Sequence, residues 1–457
     1  MNSAYNLSFE NAPSVKTVLP GPRSLELLER QDRYETRSRI YTKNFRIAIK
    51  KARGSTVEDA DGNIFIDWFS GICVLNLGHA NPLVRNAMVE QIDSLVHINE
   101  VPTEARISFI ETLVSTLPGT LRNRAKVMFT VTGADACEAA IALARHVTKK
   151  KTIVVFGGAY HGVAGDIVGA TGNFHYRDYA GLSPHNFHHL PYPYTYRFPL
   201  DVRKEDVSKA VCDQLEYLIR DPYSGAGGIG GVLVEPVQGE GGYIVPPDDF
   251  LPLLREVTEK YSVPLIVDEI QSGMGRTGRI WATEHARITP DIVCISKSIG
   301  GGIPASMIAY REDYDESLPP GFHLGTYRGN PVALAAGDAI LKHLKSSDIL
   351  ERVAREGDAI SKRFGEFAGA FAEIGEVRGK GFMIATEIVS DRKTKAADPA
   401  LTLKIKEGMF SRGVLMHTCG HFGNVLRFMA PLTIEDHLID RGLEIYGEAL
   451  AAASARR

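Results

Sequence analysis

DIVCISKSIGGGIPASM, residues 291–307, sets a lysine at the end of an apolar run and just ahead of a glycine triplet. DIVCIS reads as a buried strand. Lysine is seldom buried unless it is paired or put to chemical use. Lys297 therefore either opens a surface loop or presents an amine at a strand end, and the rest of the chain decides between the two. Similar apolar runs recur on both sides: KVMFT (126–130), TIVVF (152–156), GVLVE (231–235), PLIVDE (264–269) and ASMIAY (305–310). Amphipathic helical stretches such as 81–97 and 103–117 separate them. This alternation predicts an α/β fold, a mostly parallel sheet with helices on both faces. In such sheets ligands bind beyond the carboxyl ends of the strands.

Outward from this region the pattern changes. Residues 1–80 form a segment expected to contribute to a smaller domain, with a helix around SLELLERQDRYETRSRI and two short strands in TVEDADGNIFIDW (56–68). Residues 81–335 make the large domain. Residues 336–457 follow the helical run PVALAAGDAILKHL as a C-terminal α+β domain containing VRGKGFMIATEI (377–388), a helix near 401–412, VLMHT (414–418) and NVLRFMAPL (424–432). The stretch 172–205, rich in Tyr, His and Pro, reads as a long connection of the kind that often lines a site.

Composition narrows the function classes. With 52 Lys and Arg against 55 Asp and Glu, the formal net charge is -3, which points away from nucleic acid and anionic membranes. The basic run RHVTKKK (145–151) reads as the solvated end of a helix. The five cysteines lack the spacing of a zinc site or a disulfide framework, and reduced thiols suggest a cytoplasmic setting. No signal-peptide pattern and no apolar run of membrane-spanning length is read. Fourteen histidines show no metal-ligand spacing, and His188 and His189 are expected at the surface or in packing.

Chemistry concentrates at the ends of the apolar runs. After KVMFT, the turn VTGADACEAA feeds a helix whose first N–H groups suit a phosphate. After TIVVF, GGAYHG offers Tyr160 and His161, either as a packed turn or as a flat face for a planar cofactor. PLIV ends in Asp268, a carboxylate that needs a cationic partner or several hydrogen bonds, with Gln271 on the same turn. DIVCIS ends in Lys297, whose amine is suited to forming an imine with an aldehyde. Together these match the needs of pyridoxal 5′-phosphate: an imine lysine, an acid for the pyridine nitrogen, an aromatic face and a phosphate cradle.

From about residue 45 onward the chain resembles the class III, ornithine/4-aminobutyrate type, aminotransferases of the fold-type I pyridoxal-phosphate enzymes. The matching stretches are GICVLNLGH (71–79), TGADACEAA (132–140), YHG (160–162), EPVQGEGG (235–242), VDEIQSGMGRTG (267–278), SKSIGGGIP (296–304), GTYRGNP (325–331) and NVLRFMAPLTI (424–434). The resemblance implies a seven-stranded-type sheet in the large domain beside a smaller α+β domain. It implies that Lys297 carries the cofactor and moves the proton, that Asp268 pairs with the pyridinium nitrogen and that Gln271 contacts the ring hydroxyl. Tyr160 would stack on the ring, with His161 beside it, and Gly133 and Ala134 would give backbone N–H groups to the phosphate. It implies that Thr326 reaches the phosphate of a neighbouring subunit, hence a homodimer with shared sites, alone or within a larger assembly. This chain has Gly133-Ala134-Asp135-Ala136-Cys137 where many relatives have a Ser-Glu-Ala type run.

The resemblance also implies a ping-pong reaction in which an amino acid, of ω-amino type, gives its amino group to 2-oxoglutarate through pyridoxamine phosphate. Arg427 would grip the oxo acid's α-carboxylate with its bidentate fork. Glu240 would neutralise Arg427 when the donor lacks a carboxylate there. Ile72 is similar to the 4-aminobutyrate enzymes, whereas Arg328 in GTYRGNP is similar to the 2,4-diaminobutyrate enzymes or is only a rim charge. Amino-acid racemases and epimerases share this fold, as would a decarboxylase, and a binding protein that lacks catalysis is the alternative of another class. Retention of Glu240 and Arg427 favours transamination, and intact Lys297 and Asp268 favour an enzyme.

Overall fold

Alternate residues along the predicted strands belong to two different cores. In the computed structural model, which describes residues 6–180 and 186–455, Val154, Phe156, Val232, Val234, Leu265 and Val267 belong to one buried cluster. Ile153, Val155, Leu233, Ile266, Ile292 and Cys294 belong to another. Strand side chains alternate faces, so both faces of this sheet are covered. Each fully buried aliphatic side chain contributes roughly 1.5–3 kcal/mol.

The sheet belongs to one of two compact units, residues 86–354. Its seven strands are β1 (Lys126–Thr130), β2 (Thr152–Phe156), β3 (Phe187–Leu190), β4 (Ile229–Val234), β5 (Leu265–Asp268), β6 (Ile292–Ile295) and β7 (Ser306–Tyr310). Their order is β1-β7-β6-β5-β4-β2-β3. The neighbours from β3 to β6 pair in parallel. Only β7 runs against them, paired antiparallel to both β6 and β1. The carboxyl ends of β1, β2, β4, β5 and β6 consequently lie on one edge. Helix α1 (Glu104–Thr116) precedes β1. One core is completed by α2 (Gly133–Thr148), and the other by α3 (Val207–Arg220) and α4 (Phe250–Lys260). Thr132 caps α2 by accepting from Asp135 N, and Lys149 ends it in a left-handed conformation, an ordinary start and stop.

The stretch 172–205 is not a plain connection. It contains a short helix, Phe174–Ala180, and the edge strand β3. His188 and His189 lie in that strand, and His189 Nε2 donates to Gly169 O at 2.9 Å. Because β3 pairs with β2 alone and is half-buried, the sequence FHHL needs no β-branched run.

The other unit comprises residues 1–85 and 355–457. Strands Ile49–Arg53, Thr56–Asp59 and Ile64–Asp67 form an antiparallel meander, to which Val414–Leu415 adds in parallel. A second sheet orders Ile374–Lys380, Met383–Asp391, Val425–Phe428 and His417–Cys419. Strand Ile49–Arg53 has no counterpart in the sequence reading, because IKKAR is exposed on nearly every residue. Among the described residues no helix is long and apolar enough to cross a membrane.

Helix α5 (Pro331–Ser346) packs beneath the loop that joins β6 to β7. A Cβ on Gly337 would lie 2.5 Å from Ile299 O and 2.7 Å from the Phe109 ring. Gly337→Ala is expected to cost about 1–3 kcal/mol, the range for overpacking a tight core. Urea unfolding of the variant measures this, and an unchanged midpoint would show that the loop after Lys297 is not held by α5.

Candidate active site

β6 and β7 are antiparallel neighbours, so the ten residues between them form a hairpin loop at the carboxyl edge. Lys297 is its second residue. Ser296 Oγ donates to Ala305 O at 3.1 Å and Ser306 Oγ to Ile295 O at 3.0 Å, closing the loop at its base. Lys297 has φ +52° and is followed by Gly301 and Gly302, also at positive φ. A non-glycine residue in the left-handed region is sparsely populated and persists only where its surroundings hold it.

On the neighbouring strand Asp268 and Glu269 point to opposite sides. Glu269 is buried and fully occupied, accepting from Ser272 Oγ, Ala282 N, Thr283 N and Thr283 Oγ1 at 2.6–3.0 Å. It is a structural carboxylate. Asp268 is 3% exposed and lines a cavity of about 280 Å³. Its Oδ2 lies 2.7 Å from His161 Nδ1, Cys137 Sγ donates to it at 3.5 Å, and Oδ1 accepts from Ile270 N at 2.9 Å. Burial alone would lower the His161 pKa, but the hydrogen bonds and charges of Asp268 and Cys137 outweigh it and push it up to about 10. His161 is therefore an imidazolium at neutral pH. Hydrogen bonding with Cys294, burial and the Asp268 charge push the Cys137 thiol well above its ordinary range. With the imidazole charged and the thiol neutral, this close cluster is a poor ligand set for a metal ion.

The turn after β2 carries Tyr160 and His161. Thr171 Oγ1 accepts from His161 N at 3.1 Å and donates to Gly162 O at 2.7 Å. Tyr160 N donates to Glu235 Oε1 at 3.2 Å, and Gly239 N donates to Glu235 Oε2 at 3.0 Å. Glu235 thus ties the Tyr160 turn to the turn that leads to Glu240. Burial, opposed by the His161 charge, pushes its carboxyl up to about 7. Tyr176 packs edge-on against Tyr160, ring centroids 5.6 Å apart.

Gly133, Ala134, Tyr160, His161, Glu240, Asp268, Gln271 and Lys297 line this one cavity. Thr326 is exposed in the segment before α5. Ile72 and Arg427 belong to the other unit. There, Ile72 holds φ +60°, a rare conformation for a β-branched residue. Arg427 is fully buried opposite His417, its Nη2 3.4 Å from Nδ1. Arg328 is not a rim charge, because it is 4% exposed and bonded to Asp135. Sequence reasoning missed Glu235, Cys137 and Thr171. Only Glu235 carried a signal, a carboxylate closing an apolar run as Asp268 does.

The residues suit pyridoxal phosphate on observations beyond the motif. Among the described residues, Gln271 Oε1 and His161 Nε2 are buried without a hydrogen-bond partner, and buried polar atoms are rarely left so. A carboxylate paired with His161, a lysine and a helix N-terminus line the same cavity.

His161 has a folded-state pKa raised above its ordinary 6.5, so its stabilisation is present in full below about pH 6.5 and is lost as pH rises through about 10. Unfolding free energies measured by urea between pH 6.5 and 10 are expected to fall more steeply for the wild type than for His161→Gln. Parallel curves would remove the charged His161–Asp268 pair.

Comparison with known proteins is consistent with this geometry. The family model "Aminotransferase class-III" matches residues 38–450. The chain is 38% identical over 438 residues to the diaminobutyrate–2-oxoglutarate aminotransferase of Rhizobium meliloti (strain 1021), covering 94% of this chain and 92% of that one. It is 34% identical over 446 residues to the 4-aminobutyrate aminotransferase of Mycobacterium leprae (strain TN), covering 97% and 99%. It is also 34% identical over 436 residues to the leucine/methionine racemase of Thermococcus litoralis (strain ATCC 51850 / DSM 5473 / JCM 8560 / NS-C), covering 93% and 96%. The crystal structure of an (S)-enantioselective omega-transaminase from Thermomicrobium roseum superposes with a TM-score of 0.85 at 29% identity, covering 94% and 98%. The chain belongs to the class III aminotransferases, pyridoxal-phosphate-dependent transaminases of fold type I.

Proposed function

We propose that this transaminase takes the ω-amino group of 2,4-diaminobutyrate, or of the similar donor 4-aminobutyrate, and passes it to 2-oxoglutarate. The observation that carries the reading is the convergence of Lys297, the His161-paired Asp268, Tyr160 and the α2 N-terminus on one cavity. Bound pyridoxal phosphate supplies the electron sink for cleavage at the carbon bearing the amine. Lys297 would tether the cofactor and its amine would move the proton at the substrate carbon. Asp268, paired with His161, would face the ring nitrogen. Gln271 would hydrogen-bond the ring hydroxyl, Tyr160 would cover one ring face, and the Gly133 and Ala134 N–H groups would hold the phosphate.

Substrate choice rests on Glu240 and Arg427. The Arg427 fork suits the α-carboxylate of 2-oxoglutarate, and the Glu240 carboxylate suits a positive charge when the donor is bound. Ile72 packs beside the donor's chain. The diaminobutyrate donor is preferred because the Rhizobium relative of that name is the more similar at 38% against 34% for the 4-aminobutyrate enzyme. The working form is a homodimer in the cytoplasm, each subunit's Thr326 completing its neighbour's phosphate site. Thr326 and its neighbours Leu324 and Tyr327 are exposed in the single chain, as residues awaiting such an interface would be.

Racemisation is the second reading, favoured by the similarity to the Thermococcus leucine/methionine racemase. A half-reaction separates the two. Purified holoenzyme mixed with one amino acid, without oxo acid, is followed by cofactor absorbance. Conversion to the cofactor's amine form with 2,4-diaminobutyrate, reversed by 2-oxoglutarate, is the expected result. Unchanged absorbance with loss of optical rotation of an α-amino acid would establish the racemase instead.

Lys297→Ala is expected to lower turnover by roughly 10²–10⁴-fold or more while the protein stays folded. Normal steady-state rates in that variant would remove Lys297 from the reaction. Arg427→Ala is expected to raise KM for 2-oxoglutarate by about thirtyfold or more, as for loss of one partner of a buried charge pair, and to raise KM for pyruvate similarly, because both acceptors carry an α-carboxylate. An unchanged KM for either acceptor would contradict the Arg427 assignment.

A further inference from the structure

The helix that opens the phosphate cradle carries an acid in its first turn, and that acid has a dedicated buried cation. Asp135 Oδ2 accepts from Val131 N at 2.9 Å, and Asp135 N donates to Thr132 Oγ1 at 3.2 Å. These bonds fold the turn whose Thr132, Gly133 and Ala134 line the cavity. Asp135 Oδ1 accepts from Arg328 Nη2 at 3.1 Å. Arg328 also donates through Nη1 to His323 O, and through Nη2 to His323 Nδ1 at 2.6 Å. Its side chain is 5% exposed, against 26% for Asp135. His323 Nε2 faces the same Asp135 oxygen at 3.5 Å. Burial and the Arg328 charge hold the His323 imidazole neutral by lowering its pKa, so Nδ1 is free to accept.

An acid in the first turn of a helix is ordinarily favourable because it meets the positive end of the dipole. Here the same end is needed by a doubly charged phosphate, and two anions at one helix terminus repel. We propose that Arg328 sets the affinity for the cofactor's phosphate: it cancels the Asp135 charge and leaves the Val131–Asp135 turn in the shape that presents Gly133 and Ala134. The inference rests on the reading above that the phosphate lies at this terminus. It gives Arg328 the part of a positioning residue, acting through Asp135 without touching substrate.

Packing supports a fixed guanidinium. Gly325 lies against it so closely that a Cβ there would stand 2.6 Å from Arg328 Nε. Among the described residues Nε itself is buried without a partner, so the side chain is held through its Nη atoms and by packing. An isolated buried guanidinium would be strongly unfavourable. Arg328 and Asp135 therefore have to be tested together.

The test compares binding of pyridoxal phosphate with binding of pyridoxal, which lacks the phosphate. Holoenzyme is stripped by dialysis against a carbonyl scavenger and reloaded, and dissociation constants are read by absorbance. Arg328→Met is expected to weaken pyridoxal phosphate about three- to tenfold, the scale of one charge at a helix end, and to leave pyridoxal unchanged. The double variant Arg328→Met/Asp135→Asn is expected to recover most of the loss, because the repelling charge is gone. Equal losses for the two ligands, no loss for either, or no recovery in the double variant would overturn the proposal. If Arg328→Met does not fold, Gly325→Ala dislodges the same guanidinium and is read in the same way, alone and with Asp135→Asn. A wild type that holds pyridoxal as tightly as pyridoxal phosphate would instead refute the underlying phosphate reading.

Discussion

The 2.7 Å contact between Asp268 and His161, buried at the sheet's carboxyl edge, is the constraint on which the site depends. A carboxylate buried without a partner is costly. The imidazolium supplies that partner, and three elements are committed to holding it in place. Strand β5 brings Asp268, helix α2 brings Cys137, and the turn after β2 brings His161, fixed by Thr171. Removing one member would leave a buried charge unpaired, which typically costs 3–5 kcal/mol. The pairing is thus a structural requirement of the fold.

Three carboxylates within a few residues of this edge behave differently because their surroundings differ. Asp268 faces a cation and an open cavity. Glu269, next to it, accepts four hydrogen bonds on the far side of the strand and takes no part in the cavity. Glu235 accepts two backbone bonds and is pushed up to about 7 by burial. Environment sets the role of each acid. Strain is placed in the same manner: Lys297 and Ile72 both sit at positive φ, at positions expected to meet cofactor and substrate.

Much of this could be read in the chain. Six apolar runs gave six strands because strands covered on both faces are continuously apolar, and the residues after the five that end on one edge therefore marked the cavity. The edge strand Phe187–Leu190 and the exposed strand Ile49–Arg53 stayed hidden, since pairing on one side or exposure on both removes that pattern. The partner of Asp268 could not be named from spacing, because His161 is 107 residues away. In the sequence Arg328 reads as a likeness to the 2,4-diaminobutyrate enzymes or as a rim charge. Its real contact, Asp135, lies 193 residues earlier, and only folding brings the two together.

The cofactor is expected on Lys297 in this cavity. Borohydride reduction of the holoenzyme, followed by proteolysis and mass spectrometry, tests it directly. The expected result is a single phosphopyridoxyl label on the peptide containing Lys297. A label on another lysine, or none on a protein that still shows the cofactor's absorbance, would contradict the account.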